Sequence, residues 1–448
     1  MTALPSSGSN RKYYRAAGPD GSFVKVIGTD PDENRAFVTI ARHFRQKGIN
    51  VPEIYDVDED RLTYTQEDLG DDILYDMVAE GRKTGEYSEE EQSLLCKAMA
   101  KLPEIQFRGA EGLDWSVCFP DSEFNARMVD FDLNYFKYCY LKPAGIEFNE
   151  VRLQDDFDIL KRDLLQDFGQ TFMYRDFQAR NVIIRDRKPY FIDFQGGRRG
   201  PIYYDVASFV WQARASYPAG LKERLIDTYL ESLKEFADID GHIFRERLRI
   251  FVLFRTLQTM GAYGFRGLIE KKAHFLESTP YAIKNIEELL ATPYDRYPYL
   301  CKVLRDVVRM FNAGHKETDG FTVSIFSFSY KRGIPADRTA NGGGYVFDCR
   351  SIPNPGKFER YHSMTGKDQP VIDFIESNGE AAAFLNNAFN LVDAHIGRFL
   401  ERGFTHLQVC FGCTGGQHRS VYCAEKMADH ISQKFGQVNV ELIHRERQ

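Results

Sequence analysis

Thr171-Phe-Met-Tyr-Arg-Asp176-Phe-Gln-Ala-Arg-Asn181-Val-Ile-Ile-Arg-Asp-Arg-Lys-Pro-Tyr-Phe-Ile-Asp193-Phe-Gln-Gly196 is the stretch that decides the fold. Two apolar runs of β type, Val182–Ile184 and Tyr190–Ile192, flank a polar turn at Arg185–Pro189 and read as a hairpin. Asp176 lies on the loop entering that hairpin, Asn181 follows five residues later, and Asp193 stands just after the second strand. One small, stiff element therefore carries two carboxylates and a carboxamide at the same end. Phosphoryl transfer from ATP needs this set: a carboxylate to orient the acceptor hydroxyl, and oxygen ligands for Mg²⁺ on the triphosphate.

Asp-x4-Asn followed by Asp-Phe would carry little weight by itself in a chain rich in both residue types. Joined to the hairpin, the layout resembles the catalytic loop and metal segment of the protein-kinase-like fold, in the version used by aminoglycoside phosphotransferases and related small-molecule kinases. The resemblance implies a two-lobed α+β domain in which Asp176 deprotonates the acceptor hydroxyl while Asn181 and Asp193 hold Mg²⁺. Tyr174 stands where that family usually has His, and Asp193-Phe194-Gln195 replaces Asp-Phe-Gly.

The chain has 448 residues, too many for one ordinary core, so at least two domains are expected. The formal net charge of −7 argues against a general electrostatic grip on nucleic acid. No basic-then-apolar leader and no apolar run of membrane-spanning length is visible. The eight scattered cysteines suit reduced thiols in a cytoplasmic protein better than a disulfide framework.

At the N-terminus, Pro5–Asn10 is a run of small residues, and Lys12–Ala16 and Phe23–Ile27 flank a Gly-Pro-Asp-Gly turn. Small residues at 6–10 let backbone N–H groups approach phosphates, which makes Ser9 and Asn10 candidate nucleotide contacts. Lys25 alternates within a short apolar strand. In the resemblance it is the strand lysine on the nucleotide phosphates. Asp30-Pro-Asp-Glu33 opens a helix, and Glu33 is the candidate partner of Lys25. Acidic residues also favour helix N-termini for dipole reasons alone. Gln66–Gly70 resembles the hinge on which adenine meets backbone amides.

From 70 to 167 the periodicity is helical, as in Glu89–Leu102 and Phe124–Leu141. After the hairpin, Gly200-Pro-Ile-Tyr-Tyr-Asp205-Val-Ala-Ser resembles the segment whose Asp braces the catalytic loop, so Asp205 is read as structural. Helical periodicity resumes from Leu221 to about Leu290. Tyr-Arg-Asp-Phe-Gln-Ala-Arg-Asn, Ile-Asp-Phe-Gln and Gly-Pro-Ile-Tyr-Tyr-Asp-Val-Ala-Ser together look like the anomeric amino-sugar kinases, which phosphorylate N-acetylmuramate and N-acetylglucosamine. That resemblance covers about residues 5–300.

A polar linker is expected at 313–320, beyond a first domain of 1–312. The remainder, 321–448, reads as a small α/β domain. Phe321–Ser329 and the segment behind the glycines at 342–344 are strands, and Ala381–Arg402 is a helix. His406–Phe411 is a strand running into Gly412-Cys-Thr-Gly-Gly-Gln-His-Arg-Ser420 and a further helix. Strand, Gly-rich loop and helix make an anion site. Cys413-x5-Arg419-Ser420 also has the spacing of the protein-tyrosine-phosphatase signature, in which a thiolate attacks phosphorus.

Tyr330-Lys-Arg-Gly-Ile-Pro, Val346-Phe-Asp-Cys-Arg-Ser-Ile-Pro-Asn-Pro and Gly412–Tyr422 together resemble the C-terminal domain of RapZ, the RNase adapter family. This implies a phosphosugar site built from Cys413, Thr414, Gly415, Gly416, His418, Arg419, Ser420 and Arg350. Some members of that family also bind RNA. Residues 316–448 carry about fifteen basic and fifteen acidic residues, which is poor for RNA binding. Cys410-Phe-Gly-Cys413 has zinc-like spacing but lacks a second ligand pair.

The expected protein is thus an ATP- and Mg²⁺-dependent kinase with a fused phosphosugar-binding domain, its acceptor an N-acetylated amino sugar. The alternatives are an aminoglycoside or other alcohol kinase, a non-enzymatic sensor on a kinase scaffold, and a Cys-dependent phosphatase tail.

Overall fold

The structure is a computed structural model that describes residues 1–4, 11–18, 21–166, 169–314, 321–335 and 343–447. The expected nucleotide contacts Ser9 and Asn10 and most of the expected linker lie outside the described residues. The chain divides into two compact units, Met1–Phe311 and Asn312–Gln448.

The first unit opens with an antiparallel sheet of five strands: β1 (Thr2–Leu4), β2 (Lys12–Gly18), β3 (Gly21–Ile27), β4 (Ile54–Val57) and β5 (Thr63–Glu67), in the order β1-β2-β3-β5-β4. Between β3 and β4 runs helix α1 (Pro31–Gln46). Asp30 caps it by accepting from the backbone N–H of Asp32 and Glu33, and Pro31 sits in its first turn, where a missing N–H costs nothing. Side chains alternate across a strand, so the burial of Val24 and Val26 fixes which face of β3 turns inward. Tyr13 and Tyr64 are in register with Val26 and share that face. Tyr64 stacks on Phe37 of α1, with ring centroids 5.4 Å apart.

A helical part follows, built on α2 (Glu89–Phe107), α3 (Ala126–Phe136) and α4 (Glu150–Leu165). A capping box between Ser88 and Glu91 starts α2. Helical structure runs on from α3 as a π-helical turn over Lys137–Leu141, which burial of Phe136, Tyr140 and Leu141 holds in the core. Inserted after α4 are two small β pairs: β6 (Thr171–Met173) with β9 (Arg198–Gly200), and β7 (Val182–Arg185) with β8 (Lys188–Phe191). The β7–β8 hairpin is tighter than its sequence suggests. Asp186 and Arg187 alone form the turn, both at positive φ (51° and 61°), the conformation whose twist matches the flanking strands. Helices that carry the core onward include α5 (Tyr203–Val210), α6 (Ala219–Leu233) and α7 (Gly241–Tyr263).

The second unit is a parallel sheet of four strands: β10 (Thr322–Ser329), β11 (Gly344–Asp348), β12 (His406–Cys413) and β13 (Asn439–His444), in the order β11-β12-β10-β13. The central pair β10 and β12 is buried along nearly its whole length, as two-sided cover demands. Cover comes from α8 (Glu380–Glu401) and α9 (Arg419–Lys434), through Val392, Ile396, Met427 and Ile431. No helix among the described residues is long and apolar enough to cross a membrane.

Within the first unit, Phe194 stacks on Phe37 at 4.7 Å and lies 5.4 Å from Phe44, joining the metal segment to α1. Phe194→Ala should cost about 3–5 kcal/mol, as truncating a buried phenylalanine does. A thermal melt that shifts by less than a degree would refute this.

Candidate functional site

The catalytic loop between β6 and β7 is held from behind by Asp205 of α5. Its two carboxylate oxygens accept from the backbone N–H groups of Tyr174 and Arg175, each at 2.8 Å. Asp205 is fully buried, and burial pushes its pKa up to about 7 against the pull of those two bonds. Arg175 sits at φ +77°, a conformation a non-glycine residue adopts only when its surroundings impose it. The consequence is the placement of the next residue, Asp176, which is half-buried.

Tyr174 does not leave a gap where the kinase-like pattern has His. Its hydroxyl donates to the carbonyl of Ile192, and its ring packs edge-on against Phe194 and Phe177. The loop and the metal segment are therefore tied through Tyr174. Asn181 donates from Nδ2 to the Asp176 carbonyl at 2.8 Å, which leaves its Oδ1 as the group it can offer a cation. Asp193 lies at φ +67°. Burial, and then the neighbouring Asp176 carboxylate, raise its pKa. Asp193 and Asn181 supply oxygen donors alone, the chemistry a hard divalent cation prefers. A cation there would relieve the repulsion between the neighbouring Asp176 and Asp193 carboxylates, so the residues fit Mg²⁺.

Gln195 was not among the expected site residues. Its Nε2 donates to Asp193 Oδ1 at 2.7 Å and to Glu33 Oε1 at 3.3 Å. The departure from Asp-Phe-Gly thus inserts a carboxamide bridge between the metal segment and α1. Glu33 is not paired with Lys25 as expected. Its partner is Arg11, with a nitrogen–oxygen distance of 3.3 Å. Lys25 falls between Val24 and Val26 and so projects from the opposite face of β3, beside Tyr14 and Thr65. It has no ion pair among the described residues. The sequence signal for Arg11 was its spacing two residues ahead of Tyr13, which places it on the inner face.

In the second unit, β12 runs into the loop 414–418 and then α9, whose first turn begins at Arg419. A cleft of about 400 Å³ opens over this loop, lined by Cys413, Thr414, Gly415, His418 and Arg419 together with Asn354, Gly356 and His362. His418 Nε2 donates to the Tyr361 carbonyl at 2.9 Å, which fixes the ring. Three of the expected residues have partners of their own. Arg419 is buried, and its Nη1 donates to the carbonyls of Arg350 and Ile352 at 3.0 and 3.2 Å, anchoring the neighbouring turn. Arg350 itself is exposed, forks onto Asp348 at 2.6–3.0 Å and lies over the Tyr330 ring, outside the cleft lining. Ser420 is fully buried with Oγ 3.1 Å from Cys413 Sγ. That sulfur also receives the Gly416 N–H at 3.2 Å. Beside the loop, the Glu446 carboxylate accepts from the Ser329 N–H at 3.1 Å and pairs with Arg332 at 2.9 Å.

Residues 1–241 match the model of the phosphotransferase enzyme family. That match covers more than half of the chain, and the chain belongs to this family. Residues 321–448 match the RapZ C-terminal domain, so the protein joins a kinase-like α+β phosphotransferase unit to a RapZ C-terminal domain. Among curated relatives, a nucleotide-binding protein of Glaesserella parasuis is 33% identical over 173 residues, 39% of this chain and 56% of that protein. A second, from Xylella fastidiosa strain M12, is 38% identical over 142 residues, 32% of this chain and 46% of that protein. The chain spans about half the length of the curated relatives it matches. Similar solved structures include amicoumacin kinase in complex with AMP-PNP, Ca²⁺ and Ami (TM-score 0.47, 12% identity, 66% of this chain and 91% of that chain). Another is a choline/ethanolamine kinase family protein from Mesorhizobium loti (TM-score 0.45, 13% identity, 68% and 93%).

Two substitutions separate chemistry from scaffolding. Asp176→Asn should lower phosphotransfer turnover by about 10²–10⁴ with an unchanged melting temperature, because only a proton acceptor is lost. Asp205→Asn offers one acceptor oxygen to two N–H groups, so it should lose about 1–3 kcal/mol of stability along with activity. Calorimetry and initial rates on both variants check the contrast.

Proposed function

We propose that the chain phosphorylates the anomeric hydroxyl of an N-acetylated amino sugar such as N-acetylmuramate or N-acetylglucosamine, using ATP and Mg²⁺. The observation that carries the chemistry is the placement of Asp176, Asn181 and Asp193 around one hairpin, braced by Asp205. The amino-sugar acceptor rests on the motif resemblance in the catalytic loop and on the phosphosugar-binding type of domain that follows.

In this reading Asp176 accepts the proton of the acceptor hydroxyl as its oxygen attacks the γ-phosphorus in line. The new P–O bond forms as the bond to the β,γ-bridging oxygen breaks, and ADP leaves with that electron pair. Asp193 and Asn181 would hold Mg²⁺, which supplies charge neutralisation on the phosphates when bound. The chain's own part is positional: Tyr174 and Asp205 fix the loop, and Gln195 fixes the Asp193 carboxylate.

For the second unit we propose a binding role. A phosphate in the cleft over 413–419 meets loop amides, Thr414 and a helix N-terminus, which is enough to hold an anion. Attack by Cys413 is disfavoured by its burial and by an Arg419 guanidinium already turned to two carbonyls.

Two measurements test these readings. A methyl glycoside of the sugar, with its 1-hydroxyl blocked, should not be phosphorylated; turnover close to that of the free sugar would indicate another hydroxyl and a general alcohol kinase. Hexosamine 6-phosphate should bind full-length Asp176→Asn protein without release of phosphate, and adding Cys413→Ser should change its affinity by less than about threefold, since a buried thiol offers the ligand little. Phosphate release abolished by Cys413→Ser would make the tail a phosphatase.

A further inference from the structure

Lys25 sits on the strand where a kinase-like fold carries its phosphate-contacting lysine, and yet its side chain faces away from the catalytic loop. The inner face of the sheet is defined by Val24, Val26, Tyr13 and Tyr64, and the Tyr64–Phe37–Phe194 stack shows that this face looks towards α1 and the metal segment. Arg11 stands two residues before Tyr13 and is 3% exposed, on that same face. Its guanidinium lies 3.3 Å from Glu33 and 5.8 Å from the Phe37 ring centroid.

Arg11 ends a polar relay: Arg11 to Glu33, Glu33 to Gln195, and Gln195 to Asp193. The position is also favourable electrostatically. Glu33, Asp193 and Asp176 bring three carboxylates close together, and a triphosphate beside them would add further negative charge. A cation held by Glu33 on the inner face of the sheet offsets that charge, and a guanidinium anchored through one nitrogen keeps its charge and its remaining donors for a phosphate oxygen.

We infer that Arg11, held by Glu33, is the side chain of the small lobe that grips the nucleotide phosphates, and that Lys25 has no part in it. The inference rests on the phosphotransferase reading and moves its phosphate clamp from β3 to the residue just before β2. Arg11 then does two things. It binds phosphate directly, and it signals through Gln195 that the Asp193 carboxylate is in place.

Nucleotide binding by titration calorimetry tests this without relying on the acceptor. Arg11→Met should weaken ADP binding by about tenfold or more and leave adenosine binding within about twofold, because only the phosphate contacts are lost. Arg11→Lys should recover part of the ADP affinity. Lys25→Met should leave both ligands within about twofold, as expected for a side chain on the outer face. Loss of ADP binding in Lys25→Met overturns the inference, whatever Arg11→Met does. So does an Arg11→Met protein that loses adenosine and ADP equally, since its defect would then be structural. Should Arg11→Met fail to fold, the thermal shift given by ADP to Lys25→Met decides: a full shift supports Arg11, and an absent one overturns it. An unmodified chain that binds neither ADP nor ATP would instead overturn the phosphotransferase reading itself.

Discussion

A buried carboxylate receiving two backbone N–H groups is the constraint on which the catalytic centre depends. Asp205 comes from a helix that starts nearly thirty residues beyond the loop it braces, and it fixes both Tyr174 and Arg175. The positive φ of Arg175 is tolerable because those bonds leave it no alternative. Asp176 inherits its position from that strained neighbour, and Asn181 inherits its own from the carbonyl of Asp176. Geometry is therefore passed along the loop from a residue that never meets substrate.

The two departures from the kinase-like pattern are compensated, each by a different route. Tyr174 replaces an imidazole with a longer side chain whose hydroxyl reaches the Ile192 carbonyl, one residue before Asp193. Gln195 replaces a glycine with an amide that spans two carboxylates. Neither change empties the site; both add contacts between the loop, the metal segment and α1.

Local signals were the legible ones. The β7–β8 hairpin, the cap on α1 and the strand–loop–helix at 406–434 follow from short-range alternation, turn residues and periodicity. What sequence spacing left open were partners that meet only in three dimensions. Glu33 and Gln195 are 162 residues apart, and nothing in either segment names the other. Lys25 satisfied the motif by position along the strand, while the face it occupies was set by which valines the core took. Arg419 and Arg350 followed the same logic: both carry the right charge beside the loop, but nearby carbonyls and Asp348 claim them.

Phe194 and Gln195 are consecutive residues, and they grip Phe37 and Glu33, one helical turn apart on α1. One contact is an apolar stack and the other a hydrogen bond, and they meet the helix on a single stripe. Two fixed points on a rod prevent both sliding and rolling. α1 and the metal segment consequently behave as one lever, and any opening of the small lobe that keeps both contacts must bend elsewhere. Gly70, at φ +88° just after β5, is a joint suited to that motion, since a residue with a side chain would resist the turn.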